Sequence, residues 1–591
     1  MLKRYILFIA MSFLVFWLYA VFFPPAPPVK GPPPETPPPG EGAPPDTGEE
    51  EKAPSEEPTE SPEIKPSPPL EKPEVTDEQR DKEEKTWLEN DYCRMRFTKF
   101  GAAIREIVLH TTRTNMGVVI QGKEPVRIPR IAVQNEELNP LVITSDNGQG
   151  LDLSAHEFEL KEPTEQTERK LVYELNLDTG LKVTKEFELA KDNYFLTLKV
   201  TFENSSEATI PVDGHQVKVG TVFPLDPRTR HREINFMALG SGKVRKLKSS
   251  PKKLASESFD FLRWASAGNK YFALILSPEK TKKKYKVVPE VGESSKLDGL
   301  AKTTSSKAGD DYFYSLGVAV EGFSLKPGAR TVHRYSFYAG PKEYDRLKRL
   351  SRSPKFAIDP RFERVMRFGW FGFVAVPLLK ILKGCYSLAP NYGLAIILIT
   401  ILIKIVLYPL DQKSYKSMKE MQKLQPLVAE LKKKYKDDPR RAQAEQMKLF
   451  KEHKVNPLGG CLPMLLQMPV LIAMFQMIRS AVELWRAPFL LWINDLSQPD
   501  ALLDFGVEIP IIGSSLNILP LLLVLAFVVQ SRISKLGSGS GQQDPQQKMM
   551  GNMMTIVFGI IFYNMPSGLT LYFVVSTILR LVQQYFVQKR G

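Results

Sequence analysis

The sequence predicts a polytopic α-helical membrane protein with six transmembrane helices, five of them forming the core, and a large extracytoplasmic antiparallel β-sandwich. Three observations predict it. Residues 5 to 23 are a nearly unbroken apolar run behind Lys3 and Arg4, residues from about Trp87 to Tyr344 alternate with period two, and the C-terminal third holds five further apolar stretches. The averages hide this pattern, because 591 residues, 43% hydrophobic with a net charge of +14, would also fit a soluble basic protein. They do exclude a collagen-like or wholly disordered chain, and three cysteines exclude a dense disulfide scaffold.

The elements follow in chain order. Residues 1–23 read as an uncleaved anchor with its basic end in the cytoplasm, since the apolar run passes into Phe22, Phe23, Pro24 and Pro25 without small residues for cleavage. Residues 24–85 read as a disordered, acidic, Pro-rich linker: positions 24 to 80 hold 19 of the 47 prolines and 14 acidic against 5 basic side chains. That stretch is net −9, so the rest of the chain carries +23. Residues 86–345 form the sandwich, with strands expected at Leu171 to Leu177, Leu181 to Leu189 and Tyr194 to Phe202, separated by Asp178, Gly180, Asp192 and Asn193. Residues 346–390 are a connector in which Phe368 to Leu388, carrying Pro377, Lys380 and Lys383 among apolar residues, suits an amphipathic helix in the membrane interface.

Residues 391–591 hold the apolar stretches Tyr392 to Pro409, Cys461 to Ile478, Leu516 to Val529, Met549 to Tyr563 and Leu569 to Phe586. Alternation from the anchor places residues 411–456 inside, with 13 basic and 7 acidic residues, and residues 479 to 515 outside, with 2 basic and 5 acidic. Both termini then lie in the cytoplasm. Two stretches of about 14 or 15 residues would reach only roughly 21 Å, which means either local thinning of the bilayer or boundaries drawn too tightly. The loop 411–456 reads as a helical hairpin broken at Asp437, Asp438 and Pro439, either a solvated link or a basic arm for lipid headgroups or ribosomal RNA.

Polar side chains within the spans mark a candidate site. Lys404 lies in ILITILIKIVLYPL with Thr400 one turn before it, while Gln467, Ser576, Thr577 and Arg580 fall in the same cytoplasmic half. Lys404 either snorkels to the interface or faces a water-filled groove; no carboxylate within a span stands opposite it, which favours a positively charged groove open to the cytoplasm. Thirteen of 18 methionines follow residue 360, and Met464, Met468, Met550, Met553 and Met554 are candidates for an adaptable apolar contact surface, although methionines at helical spacing also serve plain packing.

The segments VLYPLDQKSYKSMKEMQKLQP, VNPLGGCLPMLLQMPVLIAMF, VELWRAPFLLWINDLS and NMPSGLTLYFVVSTILRLVQQ, in that order, closely resemble the YidC/Oxa/Alb membrane protein insertases over about residues 365 to 588. The preceding anchor, linker and sandwich look like the Gram-negative YidC form, whose periplasmic domain is similar to sugar-mutarotase sandwiches. The resemblance implies an insertase and chaperone of the bacterial inner membrane, not an enzyme, with no cofactor. Its implied partners are nascent membrane proteins, the lipid bilayer, the Sec translocon, and the ribosome through the hairpin and C-terminal tail, with no DNA. It also implies a groove lined by a positive residue at the position of Lys404, where the family typically carries Arg. Lysine keeps the charge but lacks the guanidinium fork, and Arg580 can supplement it.

Rival functions find less support. No internal repeat pairs the spans as transporters often do. The six histidines are scattered without metal-ligand spacing. The segment ending at Gly242 and Lys243 has Met237 where a P-loop needs glycine. The basic stretches 243–253 and 280–286 read as solvated turns, and Cys93, Cys385 and Cys461 carry no assigned role.

Overall fold

The computed structural model describes residues 86–589, with breaks of which the longest are 119–125, 129–135, 162–168, 224–232, 294–311, 456–461 and 537–544, plus isolated positions between 73 and 83. The expected anchor, residues 1–23, and almost all of the linker lie outside the described residues.

Most of the period-two region forms two facing sheets, beside a four-stranded sheet of Thr86–Glu89, Cys93–Thr98, Ala103–Leu109 and Val126–Ile128, and every described strand pair is antiparallel. The larger sheet runs in the order Val244–Leu247, Asn235–Leu239, Trp264–Gly268, Phe272–Pro278, Arg330–Pro341, Phe195–Asn204, Leu181–Leu189, Lys170–Asn176 and Glu159–Lys161. The smaller has Glu257–Phe259, Tyr285–Glu293, Tyr312–Val320, His215–Val222 and Ile143–Thr144. Alternation explains the burial: Leu181, Val183, Phe187 and Leu189 point inward, and Lys182, Thr184, Glu186 and Glu188 are partly or fully exposed. The core between the sheets is apolar and includes Trp264, Phe202, Leu274 and Val318.

Lys185 breaks this rule, standing at an inward position of Leu181–Leu189 with no exposed surface. Its ammonium donates to the carbonyls of Gly101 (2.7 Å), Leu141 (3.1 Å) and Ala102 (3.2 Å). All three residues are in the left-handed region, with φ of 68°, 67° and 41°. That backbone turns its carbonyls away from any ladder, and the lysine supplies the missing donors.

After the sandwich come α1 (Tyr344–Ser351), α2 (Gly372–Leu388), α3 (Tyr392–Lys423), α4 (Gln425–Lys434), α5 (Pro439–Glu452), α6 (Leu462–Ser480), α7 (Ile518–Leu536), α8 (Pro545–Tyr563) and α9 (Ser567–Lys589). The two shortest expected spans fall on α7, apart from Leu516 and Asn517 before it, and within α8, each helix having 19 residues or about 28 Å. The helices continue past the apolar stretches through Ser531, Arg532 and Lys535 at the end of α7 and Gln546, Gln547 and Lys548 at the start of α8. Among the described residues, Tyr392–Ser414 and Ser567–Phe586 are long and apolar enough to cross a membrane, and Ile518–Ile533 is a shorter apolar helix.

The loop 411–456 also differs from expectation. Its first arm is not a separate helix, because α3 runs 32 residues straight through Pro409 and ends at Lys423. A proline removes one backbone hydrogen bond, and the helix-favouring charged sequence beyond it carries the helix on. The break before α5 falls where expected, with Asp438 capping the helix by accepting from the Arg441 amide at 3.1 Å and Pro439 in the first turn. Leu424, Phe450 and Val455 close a small core between α4 and α5.

Candidate functional site

Helix α3 packs against α9, α2 and α6. One face of α3 carries Thr400, Lys404, Asp411 and Ser414, all buried, and α9 carries the buried Ser576, Thr577 and Gln584 with the half-buried Arg580. Positions 404 and 411 are seven apart, so they return to one side of the helix. The Lys404 ammonium lies 3.7 Å from Asp411 Oδ2, with only 9% and 10% of the two side chains exposed. Arg580 acts on that ammonium by like-charge repulsion.

This ion pair overturns the expectation that no carboxylate stands near Lys404. Helix α3 does not end at Pro409, and its uninterrupted course brings Asp411 back to the face of Lys404 two turns later. Lys404 is buried within the helix packing.

The other expected residues divide. Gln467 Nε2 on α6 donates to the hydroxyl of buried Tyr572 on α9 at 2.6 Å, and Ser576 shares that hydroxyl, so three residues join into one polar bridge. Thr400 donates its hydroxyl proton to the carbonyl of Ile396 at 2.6 Å, a bond within its own helix. Met474 and Met477 are fully buried core packing, whereas Met468 is half-buried and Met553 is 40% exposed. The side chains of Met464, Met550 and Met554 lie outside the described residues. Opposite the polar face, α3 exposes Ile401, Leu402, Ile405 and Val406. Asp411, Ser414, Tyr572 and Gln584 were missed; the signal for the first two was the continuation of the 400/404 stripe past the proline.

The far end of this helix set is sealed by the segment between α6 and α7. Asp500 is buried, accepts from the amides of Ile518 and Leu519 at 2.8 and 2.9 Å to cap α7, and accepts from Trp492 Nε1 at 3.0 Å. Asn517 Nδ2 donates to the Tyr563 carbonyl at 2.8 Å and Ser567 Oγ to that of Asp495 at 2.9 Å, tying α7, α8 and α9 together. Phe489 lies so close to α3 that a Cβ on Gly393 would collide with its ring.

The sandwich meets the helices through an ionic knot. Lys383 of α2 lies 3.2 Å from Glu343, 3.1 Å from Asp345 and 2.9 Å from Glu483, and Arg346 holds Glu343 at 2.9 Å. Burial alone would lower the Lys383 pKa, and the surrounding carboxylates outweigh it and raise it. Burial pushes the Glu483 carboxyl up. Beside the knot, the Tyr271 and Phe272 rings pack on Trp485 at 5.8 and 5.1 Å. Lys383 therefore faces protein carboxylates where the sequence suggested an interfacial lysine.

Residues 384–591 match the family described as 60Kd inner membrane protein, and residues 88–381 match the YidC periplasmic domain. A relative from Syntrophobacter fumaroxidans, named membrane protein insertase YidC, is 34% identical over 428 residues, 72% of this chain and 71% of that protein. The chain belongs to the YidC family. A YidC insertase from Geobacter sp. strain M21 is 31% identical over 503 residues, 83% of each protein. A solved structure, described as an active YidC insertase crystal structure with the first transmembrane domain resolved, aligns over 85% of this chain and 92% of that chain at 20% identity and a TM-score of 0.36.

Proposed function

We propose that this YidC-family chain inserts nascent membrane proteins into the bacterial inner membrane, holding the polar tail of an incoming segment beside Lys404 while its apolar part passes into lipid. The supporting observation is the polar face shared by α3 and α9, where Lys404, Ser576, Thr577, Arg580 and the Gln467 bridge lie within helices otherwise built from apolar residues. Such groups inside a membrane are costly unless they meet water, a partner or a substrate. No covalent chemistry is required. The groove shortens the apolar distance the tail crosses, and burial of the hydrophobic segment in lipid drives the tail outward. Met468 and Met553, with Met464, Met550 and Met554, offer adaptable apolar contact to that segment.

In this reading the chain spans the membrane six times, counting the anchor at residues 1–23, with both termini in the cytoplasm. Its domains are the linker 24–85, the periplasmic sandwich 86–345, the connector 346–390 and the core 391–591. The net +6 of residues 411–456 and the C-terminal Lys589 and Arg590 suit the ribosome and anionic lipid, and the Sec translocon is a partner for longer substrates.

Replacing Lys404 with Gln should lower insertion of a single-span substrate with an acidic tail by roughly five- to tenfold, by analogy with loss of one close charge pair. Protease protection of the tail in vesicles carrying the full-length protein measures this. Undiminished insertion would remove Lys404 from the mechanism.

A further inference from the structure

We propose that Asp411 is the resting counter-ion of the groove and that an acidic substrate tail engages Lys404 by replacing it, which makes Asp411 a selectivity residue for tail charge. The proposal rests on the groove reading above. At 3.7 Å the pair is longer than a charge-assisted hydrogen bond of about 2.7–2.9 Å, so attraction holds it without a closed hydrogen bond.

Burial sets the direction of the exchange. With roughly nine-tenths of both side chains removed from solvent, parting Lys404 from Asp411 leaves a buried cation unmatched unless another carboxylate takes its place. A neutral tail offers none and must insert past a closed pair. An acidic tail offers an equivalent partner, so the swap costs little. The neighbouring Arg580 favours the same outcome: Lys404, Asp411 and Arg580 sum to +1, so the site accepts one further negative charge before it reaches neutrality. The freed Asp411 sits seven residues, or about 10 Å of helix rise, closer to the cytoplasmic hairpin. There it can turn to water or to the basic side chains that follow it.

The test uses the full-length protein in vesicles and two ribosome-bound single-span substrates that differ only in a neutral or an acidic tail. The readout is the ratio of acidic-tail to neutral-tail insertion, with crosslinking from the tail to position 577 as a second measure. Asp411→Asn should raise the ratio roughly threefold to tenfold. Lys404→Gln should lower it, and the double variant should lie closer to wild type than Lys404→Gln alone. Asp411→Glu keeps the charge and should hold the wild-type ratio, which separates charge from folding.

An unchanged or lowered ratio in Asp411→Asn, with Lys404→Gln still defective on acidic tails, overturns the counter-ion proposal and leaves the groove reading intact. If Lys404→Gln alters neither substrate, the groove reading itself fails and the proposal falls with it.

Discussion

Lys383→Met is expected to destabilise the junction between sandwich and helices by about 3–5 kcal/mol, the cost of removing one partner from a buried ionic cluster. The wild-type knot holds two cations, Lys383 and Arg346, against three carboxylates, Glu343, Asp345 and Glu483, and so carries −1. Methionine fills a similar volume but leaves −2 in a region where Glu483 and Glu343 have only 2% and 8% of their side chains exposed. Thermal unfolding of the full-length protein in detergent, together with protease release of the sandwich, measures the loss. A change below about 1 kcal/mol would mean that water reaches the knot.

The same cluster gives a pH prediction. Glu483 has its pKa raised by burial, so its contribution to stability is present below the unfolded carboxylate range and is lost as pH rises through the folded value. Glu483→Gln should remove that decline. Combined with Lys383→Met, it should recover part of the stability that the single change loses, and a double variant no better than Lys383→Met would contradict the charge count.

Lys185→Met should cost the sandwich about 3 kcal/mol or more, since each buried carbonyl left without a donor costs about 1–3 kcal/mol. The carbonyls of Gly101, Ala102 and Leu141 share a single ammonium donor. Ala102 and Leu141 already carry side chains in the left-handed region, at about 1–2 kcal/mol each. Burial disfavours the charged form and lowers the Lys185 pKa from 10.5 to about 7, so the group still offers two N–H donors to these carbonyls after it gives up its third proton. Stability linked to this group is therefore greatest above pH 10.5, falls as the pH drops toward 7, and changes little below that. Lys185→Met should flatten the stability profile between those limits. A substitution that left both the unfolding temperature and its pH slope unchanged would rule out the clamp.

The sequence made the strands legible because alternation is a local property: Leu181 to Leu189 reads as a strand from its own residues and is one. The same alternation puts Lys185 on the inward face, but its partners stayed hidden because they stand 44 to 84 residues away. Long-range partners also hid the role of Lys383, whose partner Glu483 is 100 residues on. Lys404 was legible because a lysine in an apolar run is conspicuous. Asp411 was missed for the opposite reason: Pro409 looks like a helix end, and only packing against α9 and α2 shows that the helix continues. The methionine pattern was ambiguous for good cause, since Met474 and Met477 pack in the core while Met553 on α8 faces outward.

Pro409 stands between Lys404 and Asp411, and this turns the ion pair into a strain gauge for α3. A proline leaves the carbonyl four residues earlier without its helical donor, so bending concentrates there. A bend of about 10° would swing Lys423, roughly 21 Å beyond the hinge, by about 4 Å and shift the Asp411 carboxylate by about 1 Å. Starting from 3.7 Å, that shift weakens the attraction by about a fifth. A load applied to the α4–α5 hairpin arm would thus be registered at Lys404 as a change in how tightly its own carboxylate is held.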